Sequence, residues 1–393
     1  MSRNSAEAIQ KLDPWPLPQG VSEDYIDCSD SCGLNWHILK AGQPGKPLIL
    51  FCHGFPELSF SWRKILPKIA EKGFHCVAMD QRGYGRTTCS DDGLPFDKVD
   101  LTQYTMTNLV RDLVCLVYKL GYTQVHCIIG HDFGGMSSAM AALMRSDIFL
   151  STVQMSHPYK PPPPPAFGAD PVKKPVDIQS ELAALKPPLK HYKYYNSTPP
   201  AASHWDSPSQ GLETYLRGYF HLKSGDWAGN ANTRPLTSWS GEALRDMPQY
   251  YIMPLNETFP EVIHSNMTNE DIHKTDPWLT PQDLQVYVSE WSRTGFQGAL
   301  NWYRAQTQST PQSAKDLFLY AGKRIEVPVT FISGQRDWGN YQQPGAVEGY
   351  ESEQNVARGC WRGKTLVEGA GHWVQQEKPE EVIEALSKFL DSL

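Results

Sequence analysis

The feature that most constrains this chain is Gly130-His131-Asp132-Phe133-Gly134-Gly135, which follows directly on the apolar run Val125–Ile129. A strand-length apolar run, a glycine-flanked turn and a helical stretch to about Arg145 read as strand, sharp turn, helix. Glycines on either side let such a turn close, and the strained turn thrusts its central side chain outward. That side chain is the carboxylate of Asp132. A carboxylate is a poor acyl nucleophile. It can, however, displace a leaving group at a saturated carbon and leave an alkyl ester on the enzyme.

The flanking sequence alternates in the same way. Pro47–Cys52 is an apolar run of strand length, and Phe74–Met79 and Thr152–Met155 read as further strands. Ser61–Lys72, ending at Gly73, and Tyr104–Leu120, ending at Gly121, carry apolar residues at helical spacing. Strands alternating with helices predict a mostly parallel sheet with helices on both faces. The alternation breaks at Pro161–Pro165, a stiff, extended run that continues neither strand nor helix and reads as a solvated linker. From there to about Gly322 the chain is rich in Trp, Tyr and Pro, with helical stretches at Leu212–Phe220 and Pro281–Arg293. Strand pattern returns at Val327–Ile332 and Thr365–Val367, before a helix at Pro379–Leu390. The expected organisation is an α/β core in two parts, 1–159 and 323–393, with a mainly helical cap, 160–322, between them. No internal repeat is present.

Composition excludes several classes. With 40% hydrophobic and 20% charged residues, the chain is globular rather than disordered. A net charge of -7 and no Lys/Arg-rich run argue against nucleic acid as a partner. No apolar run is long enough for a membrane span, and Met1–Lys11 lacks the apolar segment of a secretory signal, so a cytoplasmic location is expected. The eight cysteines are scattered, Cys52 and Cys127 within apolar strands, and read as reduced, buried thiols. The histidines show no metal-ligand spacing, so neither metal nor cofactor is expected.

A nucleophilic carboxylate needs a base for the second half-reaction, a group to orient that base, and donors for the oxyanion. Open α/β sheets place such groups at strand ends. His372, in Gly369-Ala370-Gly371-His372-Trp373, and Asp337, just past Ile332–Arg336, stand at two such ends. An acidic partner there holds an imidazole in one tautomer and stabilises its charged form.

Five segments together resemble the soluble epoxide hydrolases of the α/β-hydrolase fold. They are the elbow Gly130–Gly135, the turn His53-Gly54-Phe55-Pro56-Glu57, the loop Asp80–Gly85, Asp337, and Gly371-His372-Trp373. The resemblance covers roughly residues 35–160 and 322–393, and the long cap is similar to those of fungal members. The elbow has the form G-x-S-x-G with Asp in place of Ser. The resemblance implies Asp132 as nucleophile, Asp337 as acid and His372 as base, in the chain order of this fold, and an oxyanion hole from the N–H groups of Phe55 and Phe133.

It also implies two cap tyrosines whose hydroxyls hold the epoxide oxygen. Phe296–Arg304 supplies Tyr303, and the cluster His191–Tyr195 supplies Tyr192, with Tyr195 as fallback. His53, Pro56, Trp302 and Tyr195 are expected to line the substrate. The implied reactants are a small-molecule epoxide and water, the product a vicinal diol, and the protein a monomer or homodimer. The alternatives are a haloalkane or haloacid dehalogenase, whose motifs overlap, and a non-hydrolytic biosynthetic enzyme or ligand receptor on the same fold. Phe133 weighs against the dehalogenase, which uses a Trp there to bind halide. A carboxylesterase is disfavoured by the missing Ser. Residues 217–256 match no family function.

Overall fold

In the computed structural model, which describes residues 6–162, 176–308 and 311–393, the chain enters through an antiparallel hairpin. Its strands are β1 (Val21–Cys28) and β2 (Leu34–Ala41), with Val21 opposite Ala41. The sequence reading had no strand here. Burial explains why: β1 is only partly covered and carries Glu23, Asp24 and Asp27, so no apolar run marks it.

The expected strands follow as β3 (Leu48–Cys52), β4 (His75–Met79), β6 (Cys127–His131) and β7 (Thr152–Met155), with an unexpected two-residue β5 (Thr88–Cys89) between β4 and β6. A small antiparallel pair, β8 (Leu189–His191) and β9 (Ile252–Pro254), precedes β10 (Val329–Gly334) and β11 (Trp361–Val367). The large sheet runs β1-β2-β4-β3-β6-β7-β10-β11, with β5 on the side of β2. From β4 through β11 every neighbour is parallel. β3, β4, β6, β7 and β10 are buried along their whole length, which is why apolar residues predominate in them, with Thr152 and Gln154 on β7 and Thr330 and Ser333 on β10 among the buried polar exceptions. Successive side chains go to opposite faces. Ile49 and Phe51 join one core cluster, Leu48, Leu50 and Cys52 the other.

Two expected helices are corrected. Ser61–Lys72 is not one helix but a 3-10 turn, Ser59–Trp62, and a short α-helix, Leu66–Ala70. Pro67 has no N–H to give to a preceding turn, so the helix can only restart there. The stretch beginning at Tyr104 is split likewise, into a 3-10 turn ending at Tyr104 and the helix Met106–Lys119. Of the proline run, Pro161 and Pro162 are in no regular element, and Pro163–Pro165 lie outside the described residues. Among the described residues no helix is long and apolar enough to cross a membrane.

Between β7 and β10 the chain is mostly helical, with longer helices at Leu212–Lys223, Phe259–Met267, Pro281–Thr294 and Gln297–Thr307. Indole N–H groups fasten this segment to the loops after β3 and β4. Trp291 donates to the Pro56 carbonyl and Trp302 to that of Arg82, both at 2.9 Å. From the other side Trp373 donates to the Phe220 carbonyl at 2.8 Å. β3 and β6 lie side by side where the strand order reverses, and the loops leaving their carboxyl ends open a crevice there.

Candidate active site

The elbow closes because no side chain stands in its way. A Cβ on Gly130 would lie 1.9 Å from the Gly134 carbonyl oxygen, and one on Gly54 would lie 2.3 Å from the Asp132 Cβ. Asp132 takes φ +52°, a conformation that costs a non-glycine residue on the order of 1–3 kcal/mol. It is held there by β6 behind it and the helix Phe133–Met144 ahead. Its carboxylate is turned into the crevice. Oδ1 accepts the Phe55 N–H at 3.0 Å. Phe133 is the first residue of the helix, so its N–H has no intrahelical acceptor.

Asp132 Oδ2 lies 3.5 Å from Nε2 of His372. That is long for a hydrogen bond, and Nε2 has no other protein partner among the described residues. On the far side of the ring, Nδ1 pairs with Asp337 Oδ2 at 3.0 Å. Asp337 is fixed in turn by the Gly339 N–H at 2.6 Å. The backbone around the imidazole is braced as well. The His372 carbonyl accepts from His131 Nε2 at 2.7 Å and Ser156 Oγ at 3.0 Å, and its N–H donates to the Lys223 carbonyl at 2.8 Å. His131 pairs through Nδ1 with buried Glu57 at 2.7 Å.

The charges set each group's proton affinity. Burial works to raise the pKa of Asp132, but His372, Lys223 and His131 outweigh it and hold the carboxyl well below the ordinary range. Asp337 is depressed in the same way, burial again being overcome by His372 and Lys223. For His372, burial and then Lys223 disfavour the imidazolium. Asp337 and Asp132 together outweigh them, and the pKa lies above the ordinary histidine value.

Facing Asp132 are two buried phenols. The rings of Tyr192 and Tyr303 meet at 5.7 Å and 78°. Tyr303 packs edge-on against both Phe133, at 4.7 Å, and Phe55, at 5.3 Å. Its hydroxyl has no hydrogen-bond partner among the described residues, and that of Tyr192 makes one long bond, 3.3 Å, to Gln342 Oε1. Burial, the largest influence, pushes both phenols well above 10, so both stay protonated.

The remaining lining residues divide. Tyr195 is a correction: its hydroxyl is committed to His204 Nδ1 at 2.7 Å and its ring packs on Phe259, so it does not stand with Tyr303. His53 is a second correction. Nδ1 donates to the Gly54 carbonyl at 2.9 Å and Nε2 accepts the Gln81 N–H at 3.0 Å, which leaves it no atom for a ligand. Pro56 and Trp302 shape the site indirectly. The Pro56 carbonyl anchors Trp291, and the Trp302 ring packs on those of Tyr84 and Phe133, the second of which Tyr303 also meets. Gln342 and Lys223 escaped the sequence reading, and Glu57 and His131 entered it only as members of the turn and the elbow with no role of their own, since nothing local separates them from solvated or packing residues. Among the described residues no group of three or more His, Cys, Asp or Glu is placed to hold a metal ion.

The chain has counterparts among known proteins. A family model described as the alpha/beta hydrolase fold matches residues 47–256, more than half of the chain. The chain belongs to the α/β-hydrolase fold family. Among curated relatives it is 29% identical to epoxide hydrolase A of Mycobacterium tuberculosis over 369 residues, covering 93% of this chain and 96% of that one. It is 26% identical to the bifunctional epoxide hydrolase 2 of Mus musculus, covering 99% of this chain but 61% of that longer protein. Among solved structures, an epoxide hydrolase from an endophytic Streptomyces superposes with a TM-score of 0.73 at 26% identity, over 95% of this chain and 96% of that one. Epoxide hydrolase A from Mycobacterium thermoresistibile superposes at 0.71 with 29% identity, over 94% and 98%.

Proposed function

We propose that this α/β-hydrolase is an epoxide hydrolase that converts an epoxide to a vicinal diol through an ester on Asp132. The observation that carries the reading is the pairing of a carboxylate at the elbow with two protonated phenols across from it. A halide needs no proton to leave. An epoxide oxygen is a poor leaving group unless it is hydrogen-bonded or protonated, which the phenols supply. Phe133, without an indole N–H, offers nothing to a halide.

In the proposed cycle the epoxide enters between the core and residues 160–322, which act as a lid. Tyr192 and Tyr303 take its oxygen. Asp132 Oδ2 attacks a ring carbon in line, the C–O bond breaks, and the oxygen takes a proton from one of the phenols to become a hydroxyl, leaving a phenolate. The product of this step is a hydroxyalkyl ester. His372, oriented by Asp337, then removes a proton from water, and the hydroxide adds to the Asp132 carbonyl carbon. Oδ1, already at the Phe55 N–H, becomes the oxyanion, with the Phe133 N–H as second donor. Collapse expels the diol oxygen, which takes the proton of the added hydroxyl and so restores the carboxylate; the proton held by His372 returns to the phenolate, so one water is added in all.

The test is the intact mass of His372→Gln after incubation with terminal, styrene-type and fatty-acid epoxides, with haloalkanes beside them. The expected result is a gain of one whole epoxide, on the peptide that contains Asp132, and no gain in Asp132→Asn. Full multiple turnover by His372→Gln would refute the mechanism, and a gain of haloalkane minus halide would make the enzyme a dehalogenase.

A further inference from the structure

Like Lys193, which also feels the charge of Asp132, Lys223 is a cation of this site that the mechanism leaves unused. It ends the helix Leu212–Lys223, inside the stretch that no family motif explained, and is 3% exposed. Its ammonium sits among three rings, 5.2 Å from Tyr251, 5.2 Å from Trp373 and 5.5 Å from Tyr219. It makes no hydrogen bond or ion pair among the described residues. An ammonium loses several kcal/mol of hydration on burial, of which aromatic faces recover a part. The hydroxyl of Tyr251, 1% exposed, is likewise buried without a partner. Two unpaired donors thus lie in the same part of the site, the ammonium over the ring that carries the hydroxyl.

Their place is informative. The Tyr251 ring lies 5.1 Å from that of Tyr192, and the Trp373 ring 4.6 Å from that of His372. The ammonium is therefore one ring away from the group that takes the epoxide oxygen and one ring away from the base. Asp132, Asp337 and Glu57 all bear on its charge and oppose the effect of burial. An anionic substrate entering here meets repulsion from Asp132 and Asp337, and a buried cation beside them offsets it. A neutral substrate has no use for it.

Resting on the epoxide reading, we propose that Lys223, with the Tyr251 hydroxyl, receives a carboxylate carried close to the epoxide ring, so that the preferred substrates are epoxy acids. The test pairs phenylglycidate with its neutral isostere, phenylglycidamide. For the wild-type enzyme, kcat/KM is roughly tenfold or more higher for the acid, as a charge-assisted hydrogen bond gives. In Lys223→Met that preference disappears or reverses, while Lys223→Arg retains part of it. Tyr251→Phe lowers it by a smaller factor. Inhibition of the wild type by phenylpropionate over phenylpropionamide gives the same comparison without a variant.

Equal rates for acid and amide in the wild type overturn the assignment and leave epoxide hydrolysis standing. So does an equal fall of both in Lys223→Met, which would make the lysine an electrostatic support only. If no epoxide is opened and His372→Gln gains no adduct, the epoxide reading falls and takes this inference with it.

Discussion

At the residue scale, His372 has two duties that pull against each other. In the resting enzyme its pKa is raised, because the carboxylates of Asp337 and Asp132 outweigh burial and Lys223. As a base it must be neutral. Formation of the ester resolves the conflict: Asp132 loses its charge, and burial and Lys223 then act against Asp337 alone. The pKa of His372 in the ester is therefore lower than in the free enzyme. The rate of ester hydrolysis falls as pH drops through that lower value. Rapid-quench kinetics of the second step should show an acid limb with a midpoint below the His372 pKa that NMR gives for the resting enzyme. Coincident values would mean that Asp132 does not tune its base. The first step depends on the phenols instead. Tyr303→Phe should slow ester formation by about 10²–10⁴-fold, the usual contribution of a positioned proton donor, with binding little changed. An unaltered alkylation rate in stopped flow would remove Tyr303 from the site.

At the scale of elements, the parts legible in the sequence were those where local pattern and global fold agree. Mostly apolar runs marked β3, β4, β6, β7 and β10 because both faces of those strands are buried. Asp132 and Asp337 were readable because each follows such a strand, and His372 because it stands in a glycine-rich loop after the last strand, β11, itself largely uncovered. What stayed hidden depends on partners distant in sequence. Nothing local separates Tyr192, whose ring meets Tyr303, from Tyr195, whose hydroxyl meets His204. His53 is a brace because of Gln81, and Lys223 matters because a helix end meets the His372 loop. The elbow itself is the element most open to a direct test. In Gly130→Ala the new methyl would press on the Gly134 carbonyl, which is backbone of the turn and cannot rotate away. A loss of at least about 3 kcal/mol is expected, at the upper end for an overpacked core, read as a lowered urea midpoint. A midpoint equal to wild type would show that the turn relaxes freely, and that its tightness does not hold Asp132.

At the scale of the whole molecule, a buried charge network ties together pieces that no single motif joins. Asp80, at the end of β4, accepts from His37 Nδ1 on β2 at 2.8 Å, from the Ser59 N–H and hydroxyl at 2.8 Å, and from the Arg86 N–H at 2.9 Å. His37 reaches Glu23 on β1 through Nε2 at 3.0 Å. The Arg86 guanidinium then joins Glu23, at 3.0 Å, to Glu290 of the helix Pro281–Thr294, at 2.7 Å. The hairpin, the loop after β4 and the inserted helices are thereby one unit, and the same loop holds Trp302 through the Arg82 carbonyl. Burial opposes ionisation of Asp80, but His37 and the backbone donors overcome it and depress its pKa. His37, against its own burial, is raised by Asp80 and Glu23. The signs differ. The share of Asp80 in stability is present above its unfolded value, about 3.9, and is lost as pH falls through the depressed one. The share of His37 is present below its unfolded value, about 6.5, and is lost as pH rises through the raised one. Asp80→Asn removes the acceptor from a buried pair and should lower unfolding free energy at pH 6 by about 3–5 kcal/mol. The gap between wild type and variant should narrow at more acidic pH, as the wild type gives up the same contribution. Urea melts over that range decide it, because a gap that stays constant down to strongly acidic pH would mean that the network holds by shape and not by charge.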